Sequence, residues 1–506
     1  MGMPFYHAGL TGVATVWAAK GNMPEELLEV ALDAASVPGV RFADVRLFNH
    51  HRFEYISVKN GQPEALTLRD ESGMGIRVLR EKGWGFAATT TLSTSSVKET
   101  ARWAQRLAKL AERTGSSIPF SEEKDLPRRG RYVTPLVEDP FVVPVEEKVE
   151  LLMASEKALH TDPSVKAGEA TFTAWHEEKS YLSTEGASYT SKVTHVGAGI
   201  SATAVGGGEV QRRSYPTSFG GDFAQGGYEY IRGFDLVGHA EECGRTAEAL
   251  LQAPSAPKGK MNLVLASDQL ALQVHESVGH ATELDRILAY EAGYAGTSFV
   301  KAEERERLRY GSPEMTVVAD STVPHGLGTF GWDDEGVPAQ KTTLVKNGIL
   351  VGFLTSRETA ARRSLPRSGG TMRGDGPLRM PLIRMTNINL EPGDRTRDEL
   401  IEEAGDGLYM ETNVSWSIDD KRLNFQFGCE VGRIIRNGEL AELVRNPMYS
   451  GMTPVFWGSL KARGDEKTYH HWGLPNCGKG QPSQTMHVGH GAPMGLFIGV
   501  KIGGAD

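Results

Sequence analysis

Residues 271–285 read Ala-Leu-Gln-Val-His-Glu-Ser-Val-Gly-His-Ala-Thr-Glu-Leu-Asp, and within them His275, Glu276 and His280 form a His-Glu-x-x-x-His cluster. Two imidazoles beside a carboxylate are residue types that hold a divalent metal and take a proton from water. The spacing is one residue longer than the zinc-protease pattern His-Glu-x-x-His. On an ideal α-helix, positions i and i+4 lie ~40° apart, whereas i and i+5 lie ~140° apart. His275 and His280 therefore reach one ion only if the turn widens, as in a π-bulge, or if the helix ends between them. Gly279 stands where such a departure costs least. The alternative is a helix carrying two ordinary histidines.

The rest of the chain must position this cluster. At 506 residues it has room for two or three domains with sizeable cores. Hydrophobic residues at 39% and charged residues at 24% fit a globular protein. A net charge of −9 and the lack of a long basic run give a nucleic-acid partner no electrostatic support. The three cysteines, Cys243, Cys429 and Cys477, are too few and odd in number for a disulfide framework. They suit a reducing compartment, and no apolar run is long enough for a membrane helix, so a cytoplasmic location is expected. Residues 1–22 read as a disordered extension or a mis-assigned start, with Met23 the natural one, a cleaved signal with its core at 9–19 being the alternative.

Periodicity predicts helices over 24–36, 97–113, 145–160 and 234–252, the second opened by a Ser96–Glu99 capping box. Period-two alternation runs from 41 to 88, broken at Asn60-Gly61, and resumes over 166–230. Gly206-Gly207-Gly208 lacks the Lys and Ser/Thr of a phosphate loop and reads as a turn. Cys243 reads as a core thiol. Residues 252–259 form a Pro-rich linker, placing one domain at 23–256 and another at 257–506. Beyond it, strand 261–265 leads into the histidine helix. Asn347-Gly348 and Asn437-Gly438 mark hairpins in a β-rich remainder. The expected class is α+β: an N-terminal α/β region with antiparallel sheet, then a β-rich C-terminal domain around one metal-binding helix.

The segment 272–285 resembles the active-site helix of the TldD/PmbA family of metallopeptidases. Further elements resemble the same family in the same order: Gly75-Ile76-Arg77-Val78 with Gly83-Trp84-Gly85-Phe86-Ala87, Asp333-Asp334-Glu335-Gly336-Val337-Pro338, Asn347-Gly348-Ile349-Leu350, Pro381-Leu382-Ile383-Arg384-Met385-Thr386-Asn387 and Asn476-Cys477-Gly478-Lys479-Gly480-Gln481. The resemblance covers residues 24–506. It implies the catalytic TldD type, with His275, His280 and Cys477 as ligands of one divalent metal. The PmbA (TldE) branch lacks the motif. His487 and His490 depart from many relatives and leave room for an extra ligand or an acid–base group.

Two imidazoles, one thiolate and an open fourth position form a catalytic zinc arrangement; iron suits the same ligands. Glu276 is the expected general base, a direct ligand role being its rival. Cys477 would otherwise be a buried apolar residue, but its glycine-rich setting suggests a loop presenting a thiolate. Glu283, three residues past His280, is placed to hydrogen-bond a ligand histidine, against the plainer reading of a solvated carboxylate. His487 and His490 would serve an oxyanion or a peptide, or neither. Arg384 would grip a peptide or pair with an acid. The expected activity is metal-dependent hydrolysis of unfolded or extended polypeptides, read by strand addition at a sheet edge. The alternatives are a non-enzymatic modulator of DNA gyrase and a small-molecule metal amidase. Partners would be a second copy of the chain or a non-catalytic PmbA-type relative.

Overall fold

Alternating side chains from residue 42 onward build unusually long strands. A computed structural model of the chain describes residues 26–123, 129–294 and 296–504; the extension expected over 1–22 lies outside them. Strands β1 (Phe42–Lys59), β2 (Gln62–Leu79), β3 (Trp84–Thr89), β4 (Arg129–Val133), β5 (Val165–Ser183) and β6 (Ser188–Gly206) form one sheet in the order β3-β2-β1-β5-β6-β4. Only β4 and β6 among these pairs run parallel. Strands β7 (Glu209–Tyr215) and β8 (Asp222–Gln225) add to β6. The β1–β2 turn has left-handed φ at both Asn60 (49°) and Gly61 (76°). That is the type I′ geometry matching strand twist, which Asn-Gly adopts at low cost. Gly207 and Gly208 make the β6–β7 turn, with φ of 60° and 83°.

Helices cover this sheet where its inward residues are apolar. Helices α1 (Glu26–Ala35) and α2 (Thr94–Ala111) bury Ala31, Val97, Ala101 and Ala104 against Val45, Leu47, Ile76 and Val78. The cap of α2 differs from expectation. Ser93 is the N-cap, its hydroxyl accepting from the Ser96 N–H at 3.3 Å. Ser96 lies inside the helix with its own hydroxyl 3.0 Å from Thr89 Oγ1. A serine three residues earlier thus won the competition for the orphan donors. Helix α3 (Val145–Leu159) packs with α5 (Leu236–Gln252), which follows the short α4 (Tyr228–Arg232), over Val196, Ala198, Ile200 and Ala202. Cys243 is buried among them.

The segment after α5 is pinned rather than free: Arg445 N–H donates to Pro254 O and Ala256 N–H to Arg445 O. Strand β9 (Gly259–Leu265) then enters the C-terminal sheet between Gly407–Ile418, to which it is parallel, and Gly495–Ile502. Strands Met448–Met452 and Asn424–Arg436 continue it, and the last pairs back with Gly407–Ile418, closing a barrel. The hairpins at Asn347-Gly348 and Asn437-Gly438 repeat the paired left-handed φ of the first. Helix α6 (Ser267–Val274) is buried on nearly every side, with Leu270, Val274 and Val278 in one core with Phe427, Trp457 and Phe497.

The acidic turn at 333–335 docks the two halves together. Asp334 accepts from Arg46 of β1 at 3.1 Å and from Lys179 of β5 at 2.8 Å. Arg77 of β2, paired with Asp44, lies 3.5 Å from Glu335 and donates to Asp334 O. These are buried charges, so their value lies in fixing one docking geometry more than in net stability.

Candidate metal centre

Helix α6 widens where the motif demands it. His275–Gly279 is a π turn in which the His280 N–H donates to His275 O, and His280–Thr282 is one 3-10 turn. The helix then stops, with Glu283 extended. Of the two departures that the spacing allows, the widened turn is the one used, since the helical run ends only after His280. The extra residue in the π turn disturbs the usual pairing of carbonyls, and side chains fill in. Thr282 Oγ1 donates to Val278 O at 2.9 Å, Tyr310 OH donates to Ser277 O, and Ser298 Oγ to Ala281 O at 2.7 Å. Gly279 serves space rather than conformational freedom. Its φ of −53° is ordinary, but a Cβ there would stand 2.2 Å from Met385 Sδ.

The donor atoms of His275, His280 and Cys477 lie within 4.8 Å of one another, and all three residues are buried. Cys477 Sγ is 3.8 Å from His280 Nε2. The two imidazole planes are nearly perpendicular, at 86°. Cys477 does not lie on a loop, contrary to what its glycines suggest. It belongs to strand His470–Lys479, paired with Gln484–Ala492, just after a register shift at Pro475-Asn476. The glycines shape the chain beyond it: Gly480, at φ 86°, makes the hairpin turn.

A second layer orients the imidazoles. His275 Nδ1 is 2.7 Å from His490 Nε2, and His490 Nδ1 is 3.4 Å from Ile388 O. His280 Nδ1 is 3.0 Å from Glu283 Oε2. Each pairing occupies the Nδ1 side and leaves Nε2 as the donor for an ion. Glu283 is fully buried and also meets Arg286 at 3.3 Å and Lys479 at 3.3 Å. Burial opposes its ionisation, but Lys479, then His280 and Arg286, hold the carboxyl well below its ordinary value.

Electrostatics suit a cation. Burial lowers His275 to about 4 and lowers His280 as well, so both rings are neutral at pH 7. Burial pushes the Cys477 thiol up, but the nearby Arg384 guanidinium leads the opposing effects, which bring it to about 7. Two neutral imidazoles and a thiol near its thiolate are the borderline-soft donors that zinc takes, and iron accepts the same set.

Glu276 is buried beside the centre, its Oε2 accepting from Arg422 Nη1 at 2.7 Å. Arg422 stands at φ 61° in the turn between Gly407–Ile418 and Asn424–Arg436. No local feature of the turn Asp419-Asp420-Lys421-Arg422 marks it as a functional residue; only the tertiary contact does. Arg384 is buried and pairs with no acid among the described residues. It donates to Cys477 O and, at 3.2 Å, to Gln484 O, bracing the two strands of the last hairpin. His487 lies away from the centre, its Nδ1 2.8 Å from His195 Nδ1 and its ring 4.3 Å from Trp175.

Three family models match the chain in order: PmbA/TldA metallopeptidase domain 1 over residues 43–108, the central domain over 138–251 and the C-terminal domain over 258–504. A metalloprotease of Methanothermobacter thermautotrophicus is 31% identical over 473 residues, 92% of this chain and 96% of that one. A Haemophilus influenzae metalloprotease TldD homolog is 25% identical over 505 residues, 98% of this chain and 100% of the other. The fold matches the crystal structure of TldE from Thermococcus kodakarensis with a TM-score of 0.72 at 19% identity, over 95% of this chain and 99% of that one. Among the described residues no helix is long and apolar enough to cross a membrane. A catalytic-type donor set on a widened helix, three consecutive family models and relatives along nearly its whole length place the chain in the PmbA/TldD family of metallopeptidases.

Proposed function

We propose that this chain hydrolyses peptide bonds in unfolded or extended polypeptides, with one zinc ion held by His275, His280 and Cys477 and with Glu276 as general base. The observation that carries the reading is the convergence of three buried donors beside a carboxylate whose Oε2 is held by Arg422 and whose Oε1 has no hydrogen bond among the described residues. Bound zinc would supply Lewis acidity to the scissile carbonyl and to water. Arg422 fixes Glu276 through Oε2, leaving Oε1 to take a proton from water and return it to the leaving amine. His490 and Glu283 hold the two imidazoles in the required tautomers.

A cavity of about 760 Å³, lined by both halves of the chain, offers room for a substrate. The test uses the full-length, zinc-loaded protein and an unstructured peptide. Cleavage is expected, lost with a chelator and lost in Glu276→Ala with bound zinc retained. Cleavage that persists in Glu276→Ala would remove the carboxylate from the base role. Stoichiometric zinc without hydrolysis of any peptide would remove the peptidase reading.

A further inference from the structure

The cavity of about 760 Å³ lies between the N-terminal sheet and the last hairpin. Trp175, Phe330 and Trp332 line it, together with Arg373 and His195. It adjoins the metal centre, because Met486, another lining residue, sits directly opposite Cys477 across the hairpin. Residues directly opposite in an antiparallel pair project to the same face of the hairpin.

Its cations are unequally matched. Lys179 is paired with Asp334 at 2.8 Å and Glu177 at 3.1 Å. Arg373 has no carboxylate within ion-pair distance among the described residues. Its Nη2 donates to Met385 O, its guanidinium stands 5.6 Å from the Phe330 ring, and its Nε is buried without a partner. His195 Nε2 is likewise buried and unpartnered. His195 Nδ1 and His487 Nδ1 share one hydrogen at 2.8 Å; in the tautomer where His487 donates, His195 Nε2 carries a hydrogen and is a second donor. Burial, then the like charge of Arg384, bring Arg373 down to about 9 against the weaker opposing pull of Cys477, Asp334 and Glu177. Desolvated arginines are ordinarily paired.

We propose that this cavity binds a carboxylate of the substrate, seated on Arg373 with its carbon chain against Trp175, Phe330 and Trp332, so that the enzyme prefers peptides bearing an acidic group near the scissile bond. The proposal rests on the peptidase reading for its substrate class. Two sources carry that chemistry: an Asp or Glu side chain, and a free C-terminus.

The test titrates peptides into the zinc-loaded Glu276→Gln protein by calorimetry, which needs no turnover. One pair of C-terminally amidated peptides differs by a single Glu→Gln. A second, neutral pair differs only by a free or an amidated C-terminus. The carboxylate member of at least one pair is expected to bind about tenfold tighter, as a charge-assisted bond to arginine would give. The pair that responds identifies the source. Adding Arg373→Met is expected to bring the ratio near one, and Arg373→Lys to restore part of it, with zinc content reporting that the centre is intact. Equal affinities within both pairs would overturn the proposal, as would a preference undiminished by Arg373→Met. A carboxylate preference in binding without any hydrolysis by the unmutated protein would retain the cavity assignment and reject the peptidase reading.

Discussion

His490 Nε2 lies 2.7 Å from Nδ1 of His275, although 215 residues separate them. The contact places His490 behind a donor imidazole, not among the donors. His275 can then give its Nδ1 hydrogen to His490 and present Nε2 to an ion. Loss of an outer partner of this kind lowers metal affinity about 10–100-fold. His490→Ala is expected to fall in that range in competition with a chelating dye. Unchanged affinity would show that the barrel alone orients His275.

Arg422 holds Glu276 from a hairpin turn 146 residues away. Among the described residues its guanidinium bonds Glu276 and no other group of the centre, so it acts by positioning. Arg422→Ala is expected to lower kcat about 10–100-fold, as misplacement of a reacting group does, with KM and zinc content little changed. Arg422→Lys should recover part of the loss. A change confined to KM would instead assign Arg422 to substrate binding.

Met385 fills the space that a side chain at 279 would need. Gly279→Ala is expected to destabilise the protein by about 1–3 kcal/mol through overpacking, and to weaken zinc binding by shifting the π turn. The double variant Gly279→Ala with Met385→Ala should recover zinc affinity better than stability. Wild-type zinc affinity in Gly279→Ala alone would mean that the widened turn tolerates a Cβ.

Acidification should destabilise the fold through buried neutral histidines. Burial lowers His195 to about 3 and His471 to about 4, both below the ordinary value of ~6.5. Between those values the unfolded chain binds protons that the folded one refuses, so stability is full above pH ~6.5 and falls as pH drops towards 4 and 3. At pH 5.5 each contributes a loss of about 1 kcal/mol. Melting temperature is expected to fall from pH 7.5 to 5.5, less steeply in His471→Gln. A pH-independent melting curve would contradict the burial of these rings.

Local sequence carried much of this architecture. Three Asn-Gly pairs became type I′ turns because few dipeptides take two left-handed residues cheaply. The five-residue histidine spacing forced the π turn, since helix geometry allows no regular solution. Short-range competition is harder to read: Ser93 and Ser96 are both capping residues, and the helix is capped by the earlier one. The glycines beside Cys477 suggest a loop, yet they shape the turn beyond it and not the strand that carries it. Arg422 and Arg373 are illegible locally, because their significance lies in groups met, or left unmet, far away along the chain.

The barrel strand Gly495–Ile502 pairs with β9, which leads directly into the histidine helix, and the thiol arrives on the hairpin just before it. A nascent chain therefore carries its two histidines for some two hundred residues before Cys477 and His490 are made. A chain not yet made as far as Cys477 lacks the third donor of the centre.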